Sequence, residues 1–201
     1  MRMVSRYKRR RANGLTLIEL MLALAGMSLV GSAVASMLLA VSYGTQADKN
    51  LRGLITKQMA LRSRLSAAVR ESAMVLEQGD GYVFLWGADA DDSGTPNLSE
   101  ITLVEFDSDT RTLNTYRAPA TLASDPAYDL ALAFTTQTAG VKGSADFPAT
   151  RWASDVSGFV VTLDHATAQS ARMLGYRLTL VAGDEQDEVV GAAALRNLED
   201  E

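Results

Sequence analysis

Two places in this chain set carboxylates where chemistry or a partner is needed to account for them. The first is Asp89-Ala90-Asp91-Asp92-Ser93-Gly94-Thr95-Pro96-Asn97-Leu98-Ser99-Glu100. Its spacing fits a twelve-residue calcium loop: Asp89, Asp91 and Glu100 at positions one, three and twelve, Ser93 at five, Thr95 at seven and Asn97 at nine. Calcium takes six to eight oxygen ligands, so clustered carboxylates that repel one another become complementary once the cation is present. Gly94 at position six permits the sharp turn, and Glu100 closes the site with two oxygens. The second is Glu19, the one formal charge in the apolar run from Leu15 to Val41. A carboxylate in such a segment is costly in a bilayer and calls for a partner.

The loop departs from the EF-hand pattern. Pro96 takes the place of the usual apolar residue at position eight, and the flanking segments have strand rather than helix character. Such a lone loop is expected to bind calcium only at about 10⁻⁴ to 10⁻³ M, as extracellular modules do. Asp, Ser and Gly also make tight surface turns with no ion. Both readings stand on the sequence.

The elements around Glu19 are plainer. Residues 1–14 hold Arg2, Arg6, Lys8, Arg9, Arg10 and Arg11 and no acid, and the next positive charge after the apolar run is Lys49. The run is long enough to cross a bilayer, which takes roughly 20 apolar residues, and longer than the core of an ordinary signal peptide. The positive-inside rule places its N-terminal side in the cytoplasm and the remainder outside. Small residues such as Ala23, Gly26, Gly31 and Ala35 recur along it and would let such helices pack closely.

At Gly14-Leu15-Thr16-Leu17-Ile18-Glu19-Leu20, with the basic leader before and the apolar tail after, the chain resembles the type IV pilin superfamily, which includes the pseudopilins of type II secretion. The resemblance covers about the first forty residues. It implies cleavage by a prepilin peptidase between Gly14 and Leu15, methylation of the new Leu15 amine, and pairing of Glu19 with the amine of a neighbouring subunit. It also implies an inner-membrane assembly platform and an α+β fold, with one long N-terminal helix packed on a mostly antiparallel β-sheet head. Leu15 stands where the family usually has Phe. The first proline is Pro96, whereas many major pilins kink the membrane segment with one, so the resemblance favours a pseudopilin or minor pilin.

The rest of the chain suits that organisation: a leader at 1–14, a membrane and filament-core helix at 15–41, an amphipathic continuation at 42–78 and a β-rich head at 79–201. In the continuation, Leu51, Leu54, Ile55, Met59, Leu61, Leu65, Val69 and Val75 recur mostly at steps of three or four, and Gly79-Asp80-Gly81 ends the pattern. One helix of about 60 residues, roughly 90 Å, is expected. Beyond it, strands are predicted at 82–86, 101–106, 112–116, 159–163, 176–181 and 189–195. A further strand is predicted at 130–134, inside an otherwise loop-like stretch at 118–153.

Composition narrows the function. The formal net charge of −5 conceals 13 Lys and Arg against 24 Asp and Glu once the leader is set aside, a net −11 that does not favour nucleic acid. The chain has no cysteine, so no disulfide holds it. His165, the single histidine, sits at a strand end where a surface role is expected. No nucleophile-elbow or P-loop pattern is present, and Trp86 and Trp152 are expected in the core or in subunit contacts. The expectation is a non-enzymatic filament subunit of the inner membrane. The alternative is a membrane-anchored, calcium-dependent binding module that does not polymerise.

Overall fold

The computed structural model describes residues 16–119, 121–122, 124–183 and 185–196, leaving aside the side chains of residues 44–51. Gly14, Leu15, the basic leader, Asp184 and the acidic stretch 197–201 lie outside the described residues. The chain divides into two compact units, Met1–Lys49 and Asn50–Glu201.

The first unit contains most of the apolar part of helix α1 (Leu17–Glu71). Between Leu17 and Tyr43 every large apolar side chain is exposed. Each such side chain left in water forgoes about 1.5–3 kcal/mol of burial. This is one candidate membrane span, by length and composition.

The second unit begins with the remainder of α1, where Leu54, Leu61, Leu65 and Val69 form the buried stripe. Ile55 and Met59 share the expected periodicity but are exposed. The helix also ends earlier than the periodicity suggests. It stops at Glu71, Ser72 Oγ donates to the Ala68 carbonyl, and Ala73 N–H donates to Trp86 O. Met74–Gly79 is strand β1, so Val75 is a strand residue. The physical reason is Asp80-Gly81. This dipeptide is a two-residue hairpin turn, with Gly79 paired to Tyr82 and Gly81 at φ +79°, and it draws the preceding residues into a ladder with β2 (Tyr82–Trp86).

Five strands form one antiparallel sheet in the order β1-β2-β3-β4-β5, with β3 at Ile101–Asp107, β4 at Thr112–Arg117 and β5 at Ala149–Ser154. Both of its faces are covered. Val83, Leu85, Val104 and Leu113 pack toward α1, while Phe84, Trp86, Ile101, Leu103 and Tyr116 pack against Tyr128, Phe134 and Phe147 from the connection after β4. Coverage on both sides explains why β2 is an unbroken apolar run. The predicted strand at 130–134 is absent. Asp129 accepts the Ala131 N–H, Gln137 bridges Asp129 and Leu132, and buried Phe134 opens the short helix α2 (Phe134–Gln137).

A second sheet, β6 (Val156–Leu163), β7 (Met173–Ala182) and β8 (Glu185–Ala194), turns one face to α1. Its strands start earlier than expected. Residues 185–188 belong to the β7–β8 ladder, in which Ala182 pairs with Glu185 across a two-residue connection. Tyr176, buried on β7, reaches α1, where its hydroxyl meets Ser66 Oγ at 3.1 Å and donates to Arg62 O at 3.3 Å.

Lys57 also pins the helix, donating to Asp155 Oδ2 at 2.8 Å. That bond, ahead of one from Ser154, holds the Asp155 carboxyl below its ordinary value. A depressed folded-state value stabilises above the unfolded pKa and is lost as pH falls through the folded one. Both groups are about half exposed, so Lys57→Ala is expected to cost less than about 1 kcal/mol at neutral pH. The difference from wild type in urea midpoints should shrink as pH falls through the depressed Asp155 value.

Candidate functional site

At the start of α1 the two ends of the motif Thr16-Leu17-Ile18-Glu19 meet. Thr16 N–H and Thr16 Oγ1 each donate to Glu19 Oε2 at 2.9 Å, and Glu19 N–H returns to Thr16 Oγ1 at 3.3 Å. This is a capping box, in which the first residue and the third helical residue satisfy each other's orphan donors. Thr16 was not among the expected site residues, although Thr-x-x-Glu before an apolar run is a sequence-level sign of such a cap. Glu19 thus has a partner inside its own chain. Both bonds fall on Oε2, and Glu19 is exposed. The predicted processing pair, Gly14 and Leu15, precedes the described residues.

In the acidic loop, three of the six predicted ligands converge. Carboxylate oxygens of Asp89, Asp91 and Glu100 lie within 4.8 Å of one another. The fold positions them from three directions. β2 ends at Trp86, Gly87 N–H donates to Glu100 O, and Leu98 is buried beneath the loop. Ser99 N–H donates to Asp125, and Asn97 bridges to Ala127, tying the loop to the connection after β4. Gly94, at φ +70°, makes the turn expected of it, and Asp92 also takes positive φ.

The carboxylates are already engaged. Asp89 accepts Ser93 N–H at 3.0 Å and Gly94 N–H at 2.8 Å. Asp91 accepts Ser93 N–H at 3.1 Å and Asn97 Nδ2 at 2.7 Å. Glu100 accepts Ala90 N–H at 2.6 Å and Trp86 Nε1 at 2.9 Å. Hydrogen bonding by Ser93, ahead of Asn97, holds the Asp91 carboxyl below its ordinary value. Of the other predicted ligands, Ser93 Oγ donates to Thr95 O, and the Asn97 amide donates to Asp91. Glu100 Oε2 accepts a second bond, from Asn97 N–H at 3.2 Å, while Glu100 Oε1 and the Asp89 and Asp91 oxygens each keep a lone pair; those fit a hard cation at the acidic end, and the loop's own N–H groups give it a hydrogen-bonded closure.

His165 is exposed in the bend after β6. Trp86 is buried in the core on the far side of the five-stranded sheet, and Trp152 packs partly buried against the α1 side.

These features define a chain with one candidate membrane-spanning helix followed by an α+β domain of two antiparallel sheets. Comparison with protein-family models, with curated proteins and with solved structures gives no match.

Proposed function

We propose that this chain is a structural subunit, a minor pseudopilin or minor pilin, of a type II secretion or type IV pilus-like filament. In this reading a prepilin peptidase cuts between Gly14 and Leu15, and the new amine is methylated. The subunit waits in the inner membrane with its N-terminal side in the cytoplasm and its α+β domain outside, and an assembly platform then moves it into the fibre. The observation that carries the proposal is Glu19, the one formal charge of the otherwise apolar, fully exposed helix face from Leu17 to Tyr43. The capping box needs an acceptor at the third helical position, but Gln would supply one there without bringing a charge into the membrane. A carboxylate there is accounted for by a cation from outside the chain, and the amine of a neighbouring Leu15 has the right charge at the right depth.

Intact mass of the membrane-extracted protein tests the pathway. Wild type is expected to begin at N-methylated Leu15, and Gly14→Ala to keep its leader. An uncut wild-type chain would sink the reading.

The convergence of Asp89, Asp91 and Glu100 supports a second reading, a membrane-anchored module that binds calcium through this loop. Trp86 donates to Glu100, so its emission reports on the site. On this reading, calcium at ten times a Kd of about 10⁻³ M is expected to shift that emission and stabilise the domain by about 1.4 kcal/mol. Glu100→Gln should abolish both effects. Wild-type emission and unfolding midpoint that do not respond to calcium would leave the loop as a hydrogen-bonded turn.

A further inference from the structure

Two exposed apolar patches of the Asn50–Glu201 unit remain unexplained by the core, and they complement each other. The first lies on α1. Arg52, Ile55, Met59 and Arg62 follow steps of three, four and three, which puts them on one helix face. Ile55 is 46% and Met59 69% exposed, and the arginines bracket them over about 15 Å. The second is the outer face of the β6-β7-β8 sheet, the side away from α1. There Val160, Arg177 and Val190 form one cross-strand row, with the valines 51% and 57% exposed. The next row is Thr162, Gly175 and Ala192, followed by Met173 at 48% exposure.

Small side chains leave a depression on this face of about 380 Å³, walled by Val160, Arg177 and Val190 over Gly175. A Cβ at Gly175 would stand 2.6 Å from Thr162 Oγ1, so glycine keeps the floor low. Carboxylates mark both ends. Glu188 lies one row beyond the valines, and Asp164 lies opposite Met173, about 20 Å away along the strands. Arg177 reaches Glu188 only at 3.9 Å.

We propose that the Arg52–Arg62 face of α1 in one copy of this chain docks into the outer face of the β6-β7-β8 sheet in a second copy. Ile55 and Met59 enter the depression over Gly175, beside Arg177, and Arg62 meets Glu188 at one end of it. Apolar anchors four residues apart on a helix, set into a groove, are a general mode of recognition. Two copies of the basic helix face would repel each other, whereas the sheet face offers Glu188 and Asp164 along with Arg177, so the helix face pairs with the unlike surface. Unlike surfaces give a heterologous contact, which extends from copy to copy instead of closing a dimer. The inference rests on the filament reading and specifies it: the chain carries both halves of a contact and can follow itself in the fibre.

The absence of cysteine allows a clean test in membranes of the full-length protein. Met59→Cys combined with Val190→Cys is expected to give disulfide-linked dimers and a ladder of higher species on oxidation. Chains carrying one substitution each should cross-link only when mixed. Arg62→Glu should lower the yield at least tenfold, and adding Glu188→Arg should restore it. Dimers from Met59→Cys alone would mean a like-to-like helix contact and overturn the proposal. So would monomers only from the double variant, and if Glu19-dependent sheared filaments still formed, the filament reading would survive that loss. Cross-linking that persists unchanged in Glu19→Ala would uphold the contact and remove the filament reading beneath it.

Discussion

Glu19→Ala is expected to remove the protein from sheared filaments while leaving its α+β domain folded. In the assembled state the carboxylate and a neighbouring amine would be buried together, and deleting one partner of a buried pair costs about 3–5 kcal/mol because the other charge is left uncompensated. That corresponds to more than a hundredfold loss of incorporation. The capping box supplies the rival explanation, and Thr16 separates the two. If Glu19 serves only as a cap, Thr16→Ala and Glu19→Ala should do equal harm, about 0.5–2 kcal/mol at the helix end. If Glu19 serves assembly, Thr16→Ala should leave incorporation near wild type and Glu19→Gln should fail with Glu19→Ala. The measurement is the amount of subunit in sheared fibres relative to the membrane pool. Equal incorporation of Glu19→Ala and wild type would end the filament reading.

The largest expected effect on folding comes from Gly191. A Cβ there would lie 2.4 Å from the Tyr176 ring, far inside any tolerated contact. The ring cannot swing aside at little cost, because it is buried and its hydroxyl is placed between Ser66 and Arg62 O. Gly191→Ala is therefore expected to destabilise the domain by about 2–3 kcal/mol through overpacking and to lift Tyr176 from α1. Tyr176→Phe, which loses only the hydroxyl bonds, should cost about 1 kcal/mol. Because both changes act on one contact, Gly191→Ala with Tyr176→Ala should cost less than the sum of the single variants. Urea unfolding followed by tryptophan emission reads all of these. A Gly191→Ala midpoint equal to that of wild type would mean that Tyr176 does not hold the sheet to the helix.

Much of this architecture was legible because it is local. The apolar run with its single carboxylate and the strands at 101–106 and 112–116 each depend on neighbours within one or two turns of chain. So does the Asp107-Ser108-Asp109 turn, where the Asp107 carboxylate accepts N–H bonds from Asp109 and Thr110 and is held below its ordinary value, chiefly by Thr110. The Gly94 turn of the acidic loop belongs with these.

Tertiary partners decided the rest. The residues from Met74 to Gly79 continue a helical period well enough, but the ladder offered by β2 outweighs that weak preference, and Val75 becomes a wholly buried strand residue. Ile55 and Met59 match the helical stripe yet stay outside, because the sheets meet α1 along Leu54, Leu61, Leu65 and Val69. No pattern within 118–148 announces that Tyr128, Phe134 and Phe147 will cover the far face of a sheet whose strands lie elsewhere in the chain. The acidic loop shows the same division. Its spacing brought six residues into consideration, and the three carboxylates among them converge where the loop packs through Leu98 and is tied to Asp125 and Ala127. Sequence determined the long apolar helix, its lone carboxylate and the Gly94 and Asp107-Ser108-Asp109 turns, since bond rotations and nearby side chains suffice for those. Which faces are buried, and which remain open to a partner, depended on surfaces that meet only after distant segments pack.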